Sequence, residues 1–264
     1  MDQIELCNRL ARTTEDRLLL RRILDQAVAA ERKCIPCRTH FLAPREVTLA
    51  RQLVSALGLP PHRFEGGYPM AERQVCVFLP DWLEPEDCSE EDLGVTVLRA
   101  VWYEGESLTH RDLLGALMGL GVRREMVGDL LVGERSADCL LLPEVTPFLL
   151  QNLTQAGRSR LKVQQIGLDE IVVPEVKKKV IRTTVGSLRL DAVGASGFGT
   201  SRSKFAEAIS GGRVTLNGLE CTRADHPVEA GDAISCRGMG KCRLTGTGGL
   251  SRKGRVNITI ERYI

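Results

Sequence analysis

No stretch of this chain approaches the roughly 18 consecutive apolar residues that a membrane-spanning helix needs, so no membrane partner is expected. Its start, Met1-Asp2-Gln3-Ile4-Glu5, is acidic and polar and lacks the basic-then-apolar order of a secretion signal. The nine cysteines are odd in number and scattered, which argues against a secreted disulfide framework. A cytoplasmic protein is the expectation. Internal repeats and low-complexity tracts are missing. So is a Gly-x-Gly-x-x-Gly run opening a helix after a strand, the mark of a methyl-donor or dinucleotide cofactor site. The glycine-rich stretch from Thr247 to Gly254 lacks the Gly-Lys-Ser/Thr ending of a phosphate-cradling loop and reads as a flexible basic turn. No cofactor and no small-molecule substrate is expected.

What is present is an ordinary soluble composition, 43% hydrophobic and 27% charged over 264 residues, enough for one large or two to three small domains. The net charge of +2 hides an asymmetry. Residues 183–264 hold 12 Lys and Arg against 7 Asp and Glu, whereas the remainder holds 24 against 27. Such a distribution is that of one module facing a polyanion while the rest does not.

Apolar spacing from Leu18 to Val28 reads the first thirty-odd residues as one helix, and Pro44 to Gly58 as a second. Pro60-Pro61, a glycine turn at Gly66-Gly67 and a strand from Gln74 to Leu79 follow. An acidic loop from Glu84 to Asp92 closes an N-terminal α+β region, 1–92. Residues 93–173 then read as a strand (Val95 to Trp102), a helix (Thr109 to Leu120, with Thr109 and Asp112 as a capping box) and two short strands (Asp129 to Val132, Cys139 to Leu142). A helix from Thr146-Pro147 to near Gly157 and a strand from Arg160 to Ile166 complete the unit. This βαββαβ order is the ferredoxin-like arrangement that RNA-recognition motifs also use. The base-stacking platform of such motifs is not evident, since Trp102 and Tyr103 are the nearby aromatics in a chain that is 4% aromatic. A basic linker, 174–186, carries Lys177-Lys178-Lys179, read as a solvated run rather than a phosphate clamp. The class is α+β, with a basic C-terminal module at 187–264.

In that module Ser187 can cap a short helix holding Leu188, Leu190 and Val193 inward and Arg189 outward. Gly197-Phe198-Gly199 turns the chain. Thr200 or Ser201 starts a second helix whose first residues are Arg202, Ser203 and Lys204. A helix start offers unpaired N–H groups and a positive dipole end, and two cations there make a phosphate site. Arg forks two hydrogen bonds onto a phosphate; Lys adds a point charge. Gly211-Gly212 stops the helix, Arg213 to Leu216 is a strand, and Asn217-Gly218 fits a primed hairpin turn. A second hairpin about Asp232 to Leu244 brings Arg237, Lys241 and Arg243 close, and a final strand from Arg255 to Arg262 turns Val256, Ile258 and Ile260 inward. Singly, each cation reads as a solvated surface residue. Together, at a helix start in a compact basic module, they read as an RNA-backbone site.

Arg189-Leu190-Asp191, Ser201-Arg202-Ser203-Lys204 and Gly212-Arg213-Val214-Thr215-Leu216-Asn217-Gly218 resemble the RNA-binding module named after small-subunit ribosomal protein S-four. The whole chain resembles the bacterial YlmH family, which joins this module to an RNA-recognition-like middle domain and a helical N-terminal part. The supporting stretches are Phe41-Leu42-Ala43-Pro44-Arg45-Glu46, Phe64-Glu65-Gly66-Gly67-Tyr68-Pro69, His110-Arg111-Asp112-Leu113-Leu114-Gly115 and Arg124-Glu125-Met126-Val127-Gly128-Asp129, with Arg237-Gly238-Met239-Gly240-Lys241 as a basic hairpin. The resemblance implies a cytoplasmic, non-enzymatic RNA-binding protein that engages the large ribosomal subunit. It also implies links to the rescue of obstructed large subunits carrying peptidyl-tRNA and to a cell-division gene neighbourhood. By it, Arg189, Arg202, Ser203 and Lys204, with Ser201 at the same helix start, contact ribosomal RNA or tRNA backbone. Arg213, Asn217, Lys241 and Arg243 are further candidates. Phe205 departs from the family pattern, where a smaller residue is usual, and is expected to alter packing rather than binding.

Two rival readings stand beside this one. The first is an RNA-modifying enzyme with its catalytic site in 1–182, because tyrosyl-tRNA synthetases and pseudouridine synthases carry the same module. Nothing in 1–182 resembles a His-Ile-Gly-His signature, and in pseudouridine synthases the catalytic domain follows the module. Asp191, in its Arg-Leu-Asp context, reads as a local partner for Arg189 or a backbone donor. His110-Arg111-Asp112 matches a kinase triplet without the other kinase motifs. Cys34-Ile35-Pro36-Cys37 has His40 nearby but no second pair at zinc-finger spacing, so a structural role and no metal is the expectation, with zinc as the alternative should Cys76 or Cys88 approach in space. The second rival is an adaptor whose N-terminal domains dock another protein while the module anchors it to RNA.

Overall fold

The opening apolar pattern makes two helices, not one: α1 (Gln3–Leu10) and α2 (Thr14–Lys33). Thr13 breaks the run. It lies in extended backbone, its hydroxyl accepts from the Asp16 amide, and the Asp16 carboxylate accepts from the Thr13 amide, a complete capping box. Asp16 is buried and also takes both terminal nitrogens of Arg45, at 2.6 and 2.7 Å. Those hydrogen bonds outweigh burial and hold its carboxyl down at about 2.

The structure, a computed structural model, describes residues 3–175 and 177–263, and the chain divides into two units, Met1–Pro174 and Glu175–Ile264. In the first, β1 (Cys37–Arg38), α3 (Pro44–Leu57), β2 (His62–Glu65) and β3 (Val75–Phe78) follow α2. The strands form an antiparallel sheet ordered β1-β3-β2. The acidic segment read as a loop holds a short helix, α4 (Glu90–Leu93), which Ser89 caps. Next come β4 (Thr96–Val101), α5 (His110–Gly119), β5 (Val127–Val132), β6 (Ser136–Leu141), α6 (Thr146–Asn152), the β7–β8 hairpin (Gln155–Ala156, Ser159–Arg160) and β9 (Lys162–Ile166). Their antiparallel order, β5-β6-β4-β9, is the ferredoxin-like one. The Thr109/Asp112 box does start α5, whereas α6 stops well short of Gly157 because the chain enters the β7–β8 hairpin.

Both faces of this four-stranded sheet are covered. On one, the Thr96 hydroxyl meets that of Thr146 at the start of α6, 2.5 Å apart. On the other, which carries Val97 and Leu140 in register, Phe41 lies so close to Gly128 that a Cβ there would collide with its ring. Gly67, at φ +86°, sits against Leu140, Val95 and Leu168. Tyr68 donates to Asp129 at 2.9 Å, and Arg73 turns its guanidinium onto the carbonyls of Val127, Phe41 and Arg124. Asp138 holds Arg99 at 2.7 and 2.8 Å and accepts from the Val172 amide, which closes the same face further along. The boundary expected at residue 92 is therefore no gap in the packing: Phe41, Val75 and Val77 share one hydrophobic core with Val97, Leu98 and Leu140. Several of the stretches that carry the family resemblance, Phe41 to Glu46, Phe64 to Pro69 and Arg124 to Asp129, build this junction.

In the second unit, β10 (Lys178–Val185), α7 (Leu190–Phe198), α8 (Arg202–Ser210), β11 (Val214–Leu216), β12 (Leu219–Glu220), β13 (Ala233–Cys236), β14 (Gly240–Leu250) and β15 (Val256–Tyr263) follow one another. The strands make one antiparallel sheet, β10-β15-β14-β13-β11-β12. The segment 174–186 is thus not a linker. From Lys178 it is a strand paired with β15 along its whole length. Its alternate residues Ile181 and Val185 pack on the core while Lys178 and Arg182 face solvent, so the run Lys177-Lys178-Lys179 at its start disguises a half-buried strand. The stretch from Thr247 to Gly254, expected to be a flexible turn, is likewise strand as far as Leu250.

Candidate nucleic-acid interface

Two helix starts meet at a single carboxylate. The first helix is entered at Arg189, not Ser187: Arg189 is the extended residue before α7, and the Leu190 and Asp191 amides donate to the carbonyls of His226 and Ala224. Gly197 does not break the helix. It lies within α7, where a Cβ would press on the Cys242 sulfur, and the chain reverses at Gly199, φ +66°. Gly194 has a matching reason: a Cβ there would run into the Phe205 ring, so the larger residue at 205 is accommodated by a helix crossing without a side chain beneath it.

Asp191 is buried, 5% exposed, and faces two arginines. Arg189 reaches it through Nε at 3.3 Å and Nη2 at 3.2 Å; Arg202, in the first turn of α8, reaches it through Nη2 at 3.0 Å. Burial opposes the charged form, but the hydrogen bonds and charges of Arg189 and Arg202 outweigh it and hold the carboxyl below its usual range. Arg189 is in turn held above its ordinary value by that hydrogen bond. The aspartate therefore anchors both guanidinium groups while their side chains remain 40% and 55% exposed. Ser203 and Lys204 are exposed in the same first turn. This is a preset fork of cations beside open backbone donors, suited to a polyanion's phosphates.

The remaining candidates divide. Ser201 is the cap of α8, its hydroxyl accepting from the Lys204 amide. Asn217 forms the hairpin turn at φ +50°, donating to Asp232 at 2.7 Å and accepting from the Ala233 amide. Both side chains shape the module. Arg213 follows the end of α8, and its carbonyl accepts from the Arg237 amide, so the β13–β14 hairpin tip lies beside it. Sequence reasoning groups Arg237 with Lys241 and Arg243 on one hairpin, whereas this long-range hydrogen bond sets it beside Arg213. Lys241 and Arg243 lie on β14, whose side chains at these positions turn away from α7 and α8, and so stand apart from the fork. Cys34 ends α2 at φ 55° and Cys37 lies on β1; no disulfide and no cluster of three metal-binding side chains occurs among the described residues.

Residues 89–170 match the family model "Putative RNA-binding domain in YlmH", and residues 188–234 match the S4 domain model. Fold, fork and models together define an RNA-binding protein with a ferredoxin-like unit and a C-terminal S4 domain. The chain is 34% identical to "Ribosome-associated protein quality control protein P2" of Bacillus subtilis over 226 residues, 85% of this chain and 86% of that protein. A solved structure, "Cell division protein ylmH from Streptococcus pneumoniae", shares the fold with a TM-score of 0.52 at 20% identity, covering 61% of this chain and 97% of its own. This chain belongs to the YlmH family.

Proposed function

We propose that the protein is a cytoplasmic, ribosome-associated factor without chemistry of its own. It grips structured RNA, ribosomal RNA or tRNA, on the large subunit, in the rescue of obstructed ribosomes. The observation that carries this reading is the arginine pair anchored on Asp191 at the start of α8, inside an S4 domain. Arg189, Arg202, Ser203 and Lys204 take the RNA backbone, and Arg213 with Arg237 extends the contact. Such contacts position a protein on RNA and leave specificity to RNA shape. The similarity to the Bacillus subtilis ribosome-associated quality control protein supports the ribosome as the partner. Asp191, the residue a pseudouridine synthase reading would make catalytic, is buried in an ion pair with two arginines, which favours a binding role over an enzymatic one.

Crosslinking of RNA in cells, followed by sequencing, tests the reading with Arg202→Ala/Lys204→Ala as control. Reads concentrated on large-subunit rRNA and tRNA, and absent in the variant, are expected. In solution the double variant flattens the salt dependence of binding by about one unit of slope for each phosphate it no longer neutralises. An unchanged slope would place the RNA site elsewhere. A single nucleotide whose modification vanishes without the protein would make it an enzyme.

A further inference from the structure

The C-terminal sheet has an outer face that α7 and α8 do not touch, because both helices pack on the side of Cys242, Leu244 and Ile260. On β10, β15 and β14 this outer face presents Lys178, Arg182, Lys241 and Arg243, with Glu261 as the one acidic residue in those three strands. Register sets Lys178 opposite Tyr263 and Arg243 opposite Glu261. The ammonium groups of Lys178 and Lys241 each stand 5.6 Å from the Tyr263 ring centroid. That is near the outer limit of a cation–π contact, about 6 Å. Lys178 also reaches Glu261 at 3.0 Å, and the buried Nε of Arg243 has no hydrogen-bond partner among the described residues.

The same face continues into a groove of about 450 Å³ between Arg182, Thr184, Asn257 and Thr259. Its floor is Gly246 and Gly248 of β14, opposite Thr259 and Asn257. Glycines inside a strand weaken it and mark places where a ligand or another backbone comes close. An aromatic ring flanked by two ammonium groups, leading into a groove lined by hydroxyl, amide and guanidinium groups, matches a nucleotide chain: ring for base, cations for phosphates.

We propose that this outer face binds a single-stranded RNA segment. One base packs against Tyr263 with its phosphates between Lys178 and Lys241, and the strand runs on past Arg243 and Arg182 into the glycine-floored groove. The proposal rests on the RNA-binding reading above but concerns the opposite side of the module, so the two fail separately.

The test uses the full chain and an oligouridine of about ten nucleotides, within the range such grooves accommodate, with 4-thiouridine for crosslinking. Lys178→Ala/Lys241→Ala flattens the salt slope by about 1.4, or about 0.7 for each single-strand phosphate left without its cation. Tyr263→Leu weakens binding about tenfold, the size of one base stack, whereas Tyr263→Phe binds as the parent. In the parent protein, crosslinks fall on peptides of β10, β14 and β15. Crosslinks confined to the α7–α8 residues, or unchanged slopes in the sheet variants while Arg202→Ala/Lys204→Ala flattens its own, overturn the outer-face site and leave the helix-start site standing. Absence of any RNA binding by the parent overturns both. Capture of an acidic protein segment in place of RNA overturns this proposal alone.

Discussion

The two sheets of this protein differ in what their faces meet. The ferredoxin-like sheet has α6 on one face and Phe41, Gly67, Tyr68 and Arg73 on the other, so the surface that an RNA-recognition motif would offer to bases is already occupied by the chain itself. The C-terminal sheet packs its helices on one face and leaves the other to solvent, with cations on three neighbouring strands. Topology therefore does not designate the RNA surface. Whichever face remains uncovered, and carries charge of the right sign, does. The model matched over residues 89–170 describes an RNA-binding domain; with both sheet faces covered, an RNA contact there falls to loops, helices or the edge strands β5 and β9.

The largest expected effect comes from undoing the cover on the first sheet. Phe41→Ala removes a buried ring from Gly128 and Leu140 and should cost about 3–5 kcal/mol. Both tryptophans, Trp82 and Trp102, lie in the first unit, so urea unfolding followed by tryptophan fluorescence reads that unit alone. A cost below about 1 kcal/mol would mean the cover is loose.

Next in size is a change to the second unit. Gly194→Ala places a methyl group against the Phe205 ring and should destabilise that unit by about 1–3 kcal/mol, with much of that stability recovered in the Gly194→Ala/Phe205→Leu double variant. Hydrogen exchange in β11, β13 and β14 is the readout. Equal protection in the single variant and the parent would refute the tight crossing.

Of similar size at neutral pH, and vanishing in acid, is a pH-dependent effect in the first unit. Because Asp16 is held at about 2, below its unfolded value near 4, its contribution is full at neutral pH, declines on acidification and is gone below about 2. Asp16→Asn should therefore cost about 2 kcal/mol at pH 7 and almost nothing at pH 2. A stability gap that persists at pH 2 would show that the residue acts by shape rather than by charge. Asp191 follows the same sign in the second unit, where acidification loosens its hold on Arg189 and Arg202.

Local signals carry much of the fold. Thr109 with Asp112, Pro44 at a first turn, Ser201 before Arg202, and Asn217-Gly218 each specify backbone within a few residues, and each appears where its pattern lies. Thr13 with Asp16 carries the same capping signal but is masked by apolar residues on both sides of it. The two-residue β1 is too short to show a period. Strand β10 is hidden because three consecutive lysines stand at its start, which read as a solvated run. At the candidate site the cations themselves are legible, whereas their division between a fork on Asp191 and a separate sheet face is not.

What the sequence determined alone is therefore local: helix starts and stops, hairpin turns, the βαββαβ order and the concentration of basic charge near the C-terminus, all set by interactions over a few residues or by composition. Which sheet face is buried, which arginines share a carboxylate, and which cations stand together were decided by contacts such as Phe41 on Gly128 and Arg202 on Asp191. One trace of the first decision is present in the chain. The run Cys139 to Leu142 is buried throughout, as in a strand covered on both sides, yet an apolar run says only that both faces are dry, not what covers them. That depends on side chains brought together from distant parts of the chain, and no period along a single segment encodes it.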